Sequence, residues 1–481
     1  MRLAAALVTT LALAAPAAAA AEPFVQFTSD IDQPAGLPAA CPHQDSESWP
    51  ILDVDPSQPE RLRGVAQSGG VLASVGIASD DGGRTWQRTP LSATTCTGVA
   101  GRVISVNPQA AAGPGGATWY GQSWVNEAPA FDFGVDVLRA PAPGAWQQAA
   151  SPAGDANAQN LAIVPDRADP LRATALWTVL DHPDNPADYV PLGSRVMTAA
   201  TTDGGATWSA PVLAIEPGVD RYAINVRAVR AADGALVAVV DAIPKQEAIN
   251  GSFENAVVLS SRSVDGRAWS APVTVGPIDF VRPADPDHDG EREPRTNVVS
   301  VKPDLAIGPD GLLVVAAPLN GAGGRSSIGL SRSTDGGRTW TTTDRTVDVP
   351  GQLIQPAVAI DRKGRLGLQW YDFRHDRPGD ATWDLQPRMA VQRRDGGWDE
   401  VALSEPFDLH ATNRCRFTND LPGPLRSSSC ELAYVDAMAI GVYPDLVGLQ
   451  NGFGAGYTVG PPLARDGFTD ARFTRVVVPG P

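Results

Sequence analysis

One short turn motif recurs along this chain at regular intervals, and it limits the possible folds more than any other feature. It reads SDDGGRTW at Ser79–Trp86, TTDGGATW at Thr201–Trp208, SVDGRAW at Ser263–Trp269 and STDGGRTW at Ser333–Trp340, with a worn RDGGW at Arg394–Trp398. Aspartates Asp81, Asp203, Asp265, Asp335 and Asp395 lie 122, 62, 70 and 60 residues apart. The first interval is about twice the others. A sixth copy near its midpoint, APAPGAW at Ala140–Trp146, keeps Gly144 and Trp146 and has lost the aspartate. A fixed period of about sixty residues marks a repeat architecture.

Each residue type in the motif has a physical task. The Asp carboxylate accepts backbone N–H groups two or three residues on and closes the turn. The glycines supply positive φ. The Trp opens the next strand and offers a broad apolar face to a neighbouring sheet. The pattern S-x-D-x-G-x-T-W resembles the Asp-box, or bacterial neuraminidase repeat, of the sialidase superfamily of β-propellers, and its copies span nearly all of the mature chain. The resemblance implies an all-β fold, a β-propeller of four-stranded antiparallel blades. It also implies that the boxes lie on the face remote from the active site, where they are structural.

Between the turns the chain reads as short strands with alternating or β-branched residues. Six units begin near Trp49, Arg102, Asn160, Ala223, Lys302 and Gln355, and a seventh at Asp445 is one strand short. The spare strand FVQFTS at Phe24–Ser29 can complete it and close the ring, which removes exposed sheet edges. Seven blades is the expected count, with six the alternative. Residues 1–21 read as a secretory signal peptide, and residues 22–481 as a single propeller domain. The expected location is secreted or periplasmic. Four cysteines in an exported chain point to two disulfides, paired by proximity as Cys41–Cys96 and Cys415–Cys430. A net charge of −16, from 54 acidic against 38 basic residues, disfavours nucleic acid or an anionic membrane as partner. No later segment is long and apolar enough to be inserted in a bilayer.

The long segments should gather on the face opposite the boxes, and long loops on a rigid scaffold are where function concentrates. The sharpest motif among them is DPDHDGEREP at Asp285–Pro294. Alternating Asp285, Asp287 and Asp289 before Gly290, with Glu293 following, match the start of a calcium loop, because hard cations want several converging oxygens. A solvated acidic loop is the other reading. Next is the run Tyr371, Asp372, Phe373, Arg374, His375, Asp376 after the strand LGLQW. Asp372, Tyr371 and Asp376 are the candidate catalytic residues, by acid/base or nucleophilic chemistry. Arg374, Arg295, Arg414 and His375 are the candidates for binding an anionic substrate group. The alternative is a salt bridge that pins the loop.

A sialidase of the resembled superfamily would hold its substrate's carboxylate in an arginine triad and use a tyrosine nucleophile assisted by a glutamate, with an aspartate acid/base. Such sialidases carry Arg-Ile-Pro ahead of the first box. This chain has Glu60, Arg61, Leu62, Arg63 and Gly64 there and no Arg-Ile-Pro anywhere. The leading expectation is a secreted, sialidase-like carbohydrate-active protein, an exo-acting glycoside hydrolase or lyase working at the central face. A non-catalytic propeller binding glycan or protein is the alternative. Its partner is then a glycan or another secreted or cell-surface ligand, with calcium as the one candidate cofactor.

Overall fold

The computed structural model describes residues 22–479, apart from 32–35, 40, 42–46, 69–72, 92–93, 127–132, 155–156, 182–192, 247–254, 280, 282–301, 322–324, 344–351, 378–381, 413–439, 441–444 and 466–468. Strand β1 (Phe24–Asp30) comes first. Blade 1 follows as β2 (Glu47–Val54), β3 (Leu62–Ser68), β4 (Ala73–Ser79) and β5 (Gln87–Pro90). Blade 2 is β6 (Arg102–Ala112), β7 (Thr118–Asn126), β8 (Phe133–Ala140) and β9 (Gln147–Gln148). Blade 3 is β10 (Ala158–Pro165), β11 (Ala173–Asp181), β12 (Gly193–Thr201) and β13 (Val212–Ile215). Blade 4 is β14 (Arg221–Arg230), β15 (Leu236–Pro244), β16 (Val257–Ser263) and β17 (Val273–Pro277). Blade 5 is β18 (Asp304–Ile307), β19 (Leu313–Asn320), β20 (Ser326–Ser333) and β21 (Thr341–Thr343). Blade 6 is β22 (Leu353–Ile360), β23 (Leu366–Asp372), β24 (Asp384–Gln392) and β25 (Trp398–Ala402), with β26 (Phe407–Asp408) also pairing β24.

Blade 7 needs both ends of the chain. Strands β27 (Asp445–Leu449), β28 (Gly452–Val459) and β29 (Asp470–Val477) supply three of its positions. Strand β1 supplies the fourth, antiparallel to β29 from Phe24 opposite Val477 to Asp30 opposite Arg472. The protein is a seven-bladed β-propeller, closed as its spare N-terminal strand implies. Asp30 also ion-pairs with Arg465 at 2.6 Å and Arg472 at 3.5 Å, which holds β1 by charge as well as by its backbone.

Seven apolar clusters lie between the blades, one at each junction. The turn tryptophans belong to them. Trp86 of blade 1 meets Phe473 of blade 7 edge-on at 5.4 Å and donates from Nε1 to Ser29 Oγ. Trp208 of blade 3 meets Trp119 of blade 2 at 6.4 Å. Trp146, in the worn copy, meets Tyr120 at 3.9 Å. The Cys41–Cys96 disulfide forms, tying the segment before blade 1 to the link after it. Closing so long a loop in the unfolded chain is worth about 4 kcal/mol in the chain-entropy model. Cys415 and Cys430 lie outside the described residues.

Two glycines separate the demands of turn and packing. Gly83 has φ +91, and a Cβ there would lie 2.1 Å from the Phe473 ring across the blade 1–blade 7 junction. Gly364 has φ +79 and nothing within 4 Å. Gly364→Ala should cost only the left-handed backbone term, about 1–2 kcal/mol. Gly83→Ala should add an overpacking cost of about 1–3 kcal/mol. Urea denaturation of both variants checks this, and equal losses would show that the turns do not seat the blades.

Candidate functional site

In an antiparallel blade, the turns joining strands one to two and three to four share one end of the ring. The two-to-three loops and the links between blades share the other. No connection at the first end exceeds ten residues, whereas the link from β17 to β18 alone runs 26. The aspartate turns occupy the tight end, and their polar atoms are used up internally. In the turn of blade 3, Asp203 Oδ1 accepts from the Thr201 hydroxyl at 2.8 Å and the Thr207 N–H at 3.0 Å. Its Oδ2 accepts the Thr207 hydroxyl at 2.6 Å. Asp81 and Asp335 repeat these distances. The Thr207 hydroxyl and then its N–H hold Asp203 down to about 2. Arg61 and Arg63 are also engaged at this end, both pairing with Asp80.

The Tyr371–Asp376 run is strand at its start and turns outward after it. Tyr371 is 1 % exposed; its hydroxyl donates to the Thr458 carbonyl at 3.0 Å and accepts the Thr458 N–H at 2.7 Å. Asp372, fully buried, accepts from Trp370 Nε1 at 2.9 Å and from the Arg374 backbone and guanidinium. Arg374 continues to Glu400 at 3.0 Å, and Glu400 meets Arg388 at 3.1 Å. Glu400 lies on β25, the outermost strand of blade 6. The second-to-third strand connection thus carries Arg374 to Glu400 on that outer strand. His375 reaches Gln386 at 3.1 Å, and Asp376 accepts the Asp384 N–H at 3.1 Å. So Asp372, Arg374, Glu400, Arg388, Gln386 and His375 form one chain of contacts along blade 6. Arg295, Arg414 and the proposed calcium ligands Asp285, Asp287, Asp289 and Glu293 lie outside the described residues.

Other titratable groups altered by the fold lie on or near the first strands of the blades. These strands surround a cavity of ≈ 280 Å³ on the ring axis, lined by all seven blades. Three carboxylates on its wall reach sideways to the next blade. Asp53 accepts the Ala112 N–H at 2.8 Å, Asp304 that of Val358 at 2.8 Å, and Asp445 that of Leu52 at 2.6 Å. Arg227 of blade 4 donates to Gln109 of blade 2 at 2.6 Å and ion-pairs with Asp304 at 3.7 Å. Burial in the wall raises Asp53 to about 6, against the N–H bonds that favour its charged form. Burial and then Asp304 raise Asp445 as well. Burial and then Arg227 push Lys302 well down, and burial raises Asp241 well up. None of these six was singled out from sequence. For Asp53, Asp304, Asp445 and Arg227 the available signal was a charge inside an inner strand, where it is out of place.

Among the described residues, no three His, Cys, Asp or Glu side chains come together to hold a metal ion. Nor is any helix there long and apolar enough to cross a membrane. Solved structures similar to this chain include a Hadza microbial sialidase, 14 % identical over 88 % of this chain and 74 % of that one, TM-score 0.45. A Penicillium chrysogenum alpha-L-arabinanase is 12 % identical over 94 % and 98 %, TM-score 0.42. A polysaccharide lyase acting on ulvan is 9 % identical over 93 % and 96 %, TM-score 0.48. The chain matches no protein-family model and no curated protein.

The two sets of carboxylates give opposite pH dependence. Asp53, raised from 3.8 to about 6, favours the folded state fully below pH 3.8 and loses that contribution as pH rises through about 6. Asp203, lowered from 3.8 to about 2, contributes above pH 3.8 and loses it as pH falls through about 2. Between about pH 4.5 and pH 7.5 the wild type should therefore lose more stability than Asp53→Asn, by no more than about 3 kcal/mol. Thermal scans of both proteins across that range check the sign; parallel curves would contradict it.

Proposed function

We propose that the protein is an exported, glycan-acting propeller that takes its sugar at the long-loop end of the ring, above the central channel. The observation that supports this most is the division of the connections between the two ends, short aspartate turns at one and the long segments at the other. At the tight end the aspartate turns have their hydrogen-bonding atoms occupied, and no connection there is long enough to fold over a ligand. Every connection longer than ten residues runs at the other end, and the channel on the axis bears Asp53, Asp304, Asp445 and Arg227 on its wall. The resemblance of the turns to the Asp-box agrees with this reading.

The enzymatic form is an exo-acting, sialidase-like hydrolase or lyase. In it Arg295 and Arg414 would hold an anionic sugar group, and calcium at Asp285, Asp287, Asp289 and Glu293 would fix the loop before blade 5. One observation favours the second form, a binding propeller without catalysis. The hydroxyl of Tyr371 and both oxygens of Asp372 are already committed to internal partners, so neither is poised as nucleophile or proton donor.

Mature protein should be incubated with fluorogenic glycosides, sialosides included, and with oligosaccharides, in calcium and in chelator. The enzymatic form releases single terminal sugars. If Tyr371 and Asp372 are catalytic, Tyr371→Phe and Asp372→Asn lose activity about a hundredfold or more while keeping their melting temperature. If they are scaffold, stability falls and activity per folded molecule stays. Sugar binding without release selects the binding form. Neither binding nor release on any sugar removes the proposal.

A further inference from the structure

The inner strands share an irregularity at one level. Five positions before the strand end at the tight face stand Trp49 in β2, Asn107 in β6, Asn160 in β10, Asn225 in β14 and Gln355 in β22. All five have positive φ, between 50 and 56, and at each the pairing with the second strand slips. Lys302 stands at the same level before β18. Left-handed backbone is uncommon for residues other than glycine, and for Trp it is an outlier. Bulges re-aim side chains and gather beside functional sites. Five at one height of a closed ring form a collar; on four of the strands it lies two residues from the cavity-lining Ile51, Gln109, Ala162 and Arg227, on the long-loop side of Asp53, Asp304 and Asp445.

Three of the five carry amides on adjacent blades 2, 3 and 4, and Gln355 adds a fourth. Among the described residues, acceptor oxygens buried at this level without a hydrogen-bond partner include Asn160 Oδ1 and Asp241 Oδ1. Asn160 is 8 % exposed and Asp241 not at all. The other oxygen of Asp241 accepts Asn225 Nδ2 at 2.9 Å, which places it at the collar. A buried acceptor without a donor is costly, so this level calls for a group that brings hydroxyls.

We infer that this collar, with Asn160 and Asp241 at its centre, is the part of the channel that reads the sugar, by accepting hydrogen bonds from the hydroxyls of a polyhydroxylated ligand. Sugar hydroxyls can donate to Asn160 Oδ1 and Asp241 Oδ1 while accepting from neighbouring amide N–H groups. This rests on the glycan reading above and adds the residues that recognise the ligand.

The test uses mature full-length protein and a panel of D-galactose, L-arabinose, D-glucuronate and N-acetylneuraminate, with binding followed by saturation-transfer NMR and titration. Asn160→Gly keeps the left-handed backbone, which glycine adopts freely, and deletes the acceptor. Asp241→Asn is nearly isosteric and guards against a folding defect at residue 160. The expected result is about tenfold or greater loss of affinity in each variant, with melting temperatures within a few degrees of wild type. Wild-type affinity in both variants would overturn the collar and leave the glycan reading standing. A wild type that binds no sugar in the panel would overturn both.

Discussion

A four-stranded blade of this chain has two apolar faces and an unpaired inner edge, and neither can be covered within the blade. The faces are covered only by other blades, which is why an apolar cluster occupies every junction and why the ring must close. The last junction depends on residues from opposite ends of the chain, with β1 seated on β29 and Trp86 against Phe473. The inner edge is a different problem, because its N–H groups face a narrow channel. Asp53, Asp304 and Asp445 answer it by accepting N–H groups of the next blade. The cost is three carboxylates in a poorly solvated wall, and the raised protonation of Asp53 and Asp445 follows from that.

The same architecture sorts structure from function. Turns at the tight end are local: a carboxylate, a hydroxyl and two or three N–H groups satisfy one another within a few residues. Little is left over to meet a ligand. At the level of the inner-strand bulges the backbone departs from regular pairing, and polar atoms of several blades converge without all finding partners. A propeller can tolerate such irregularity there because each strand is held on its other side by the rest of its blade.

Much of this was legible in the amino-acid sequence, for physical reasons that also explain what was not. The Asp-Gly turns and their Trp residues act locally, so their period disclosed the blades, and the odd strand at Phe24–Ser29 disclosed the closure. Cys41 and Cys96 paired as neighbours in sequence. The Tyr371–Arg374 run stood out because it concentrates reactive groups. Its partners Thr458 and Glu400 are ones that no local pattern reveals. Asp53 and Asp445 read as ordinary strand residues, since their setting comes from blades brought together by ring closure; Asp445 and Leu52 are 393 positions apart. The bulges at Trp49 and Gln355 have no signature in residue type at all.

The central claim is that ligand chemistry belongs to the long-loop end and the channel beneath it, while the aspartate-turn end is structural. Hydrogen exchange of the mature protein, with and without a mixture of free sugars and oligosaccharides, tests it most directly. The account predicts slowed exchange at the inner-strand bulges, in peptides covering Asn160, Asn225 and Lys302, with the turns at Asp81, Asp203 and Asp335 unchanged. Protection confined to those turns would contradict it.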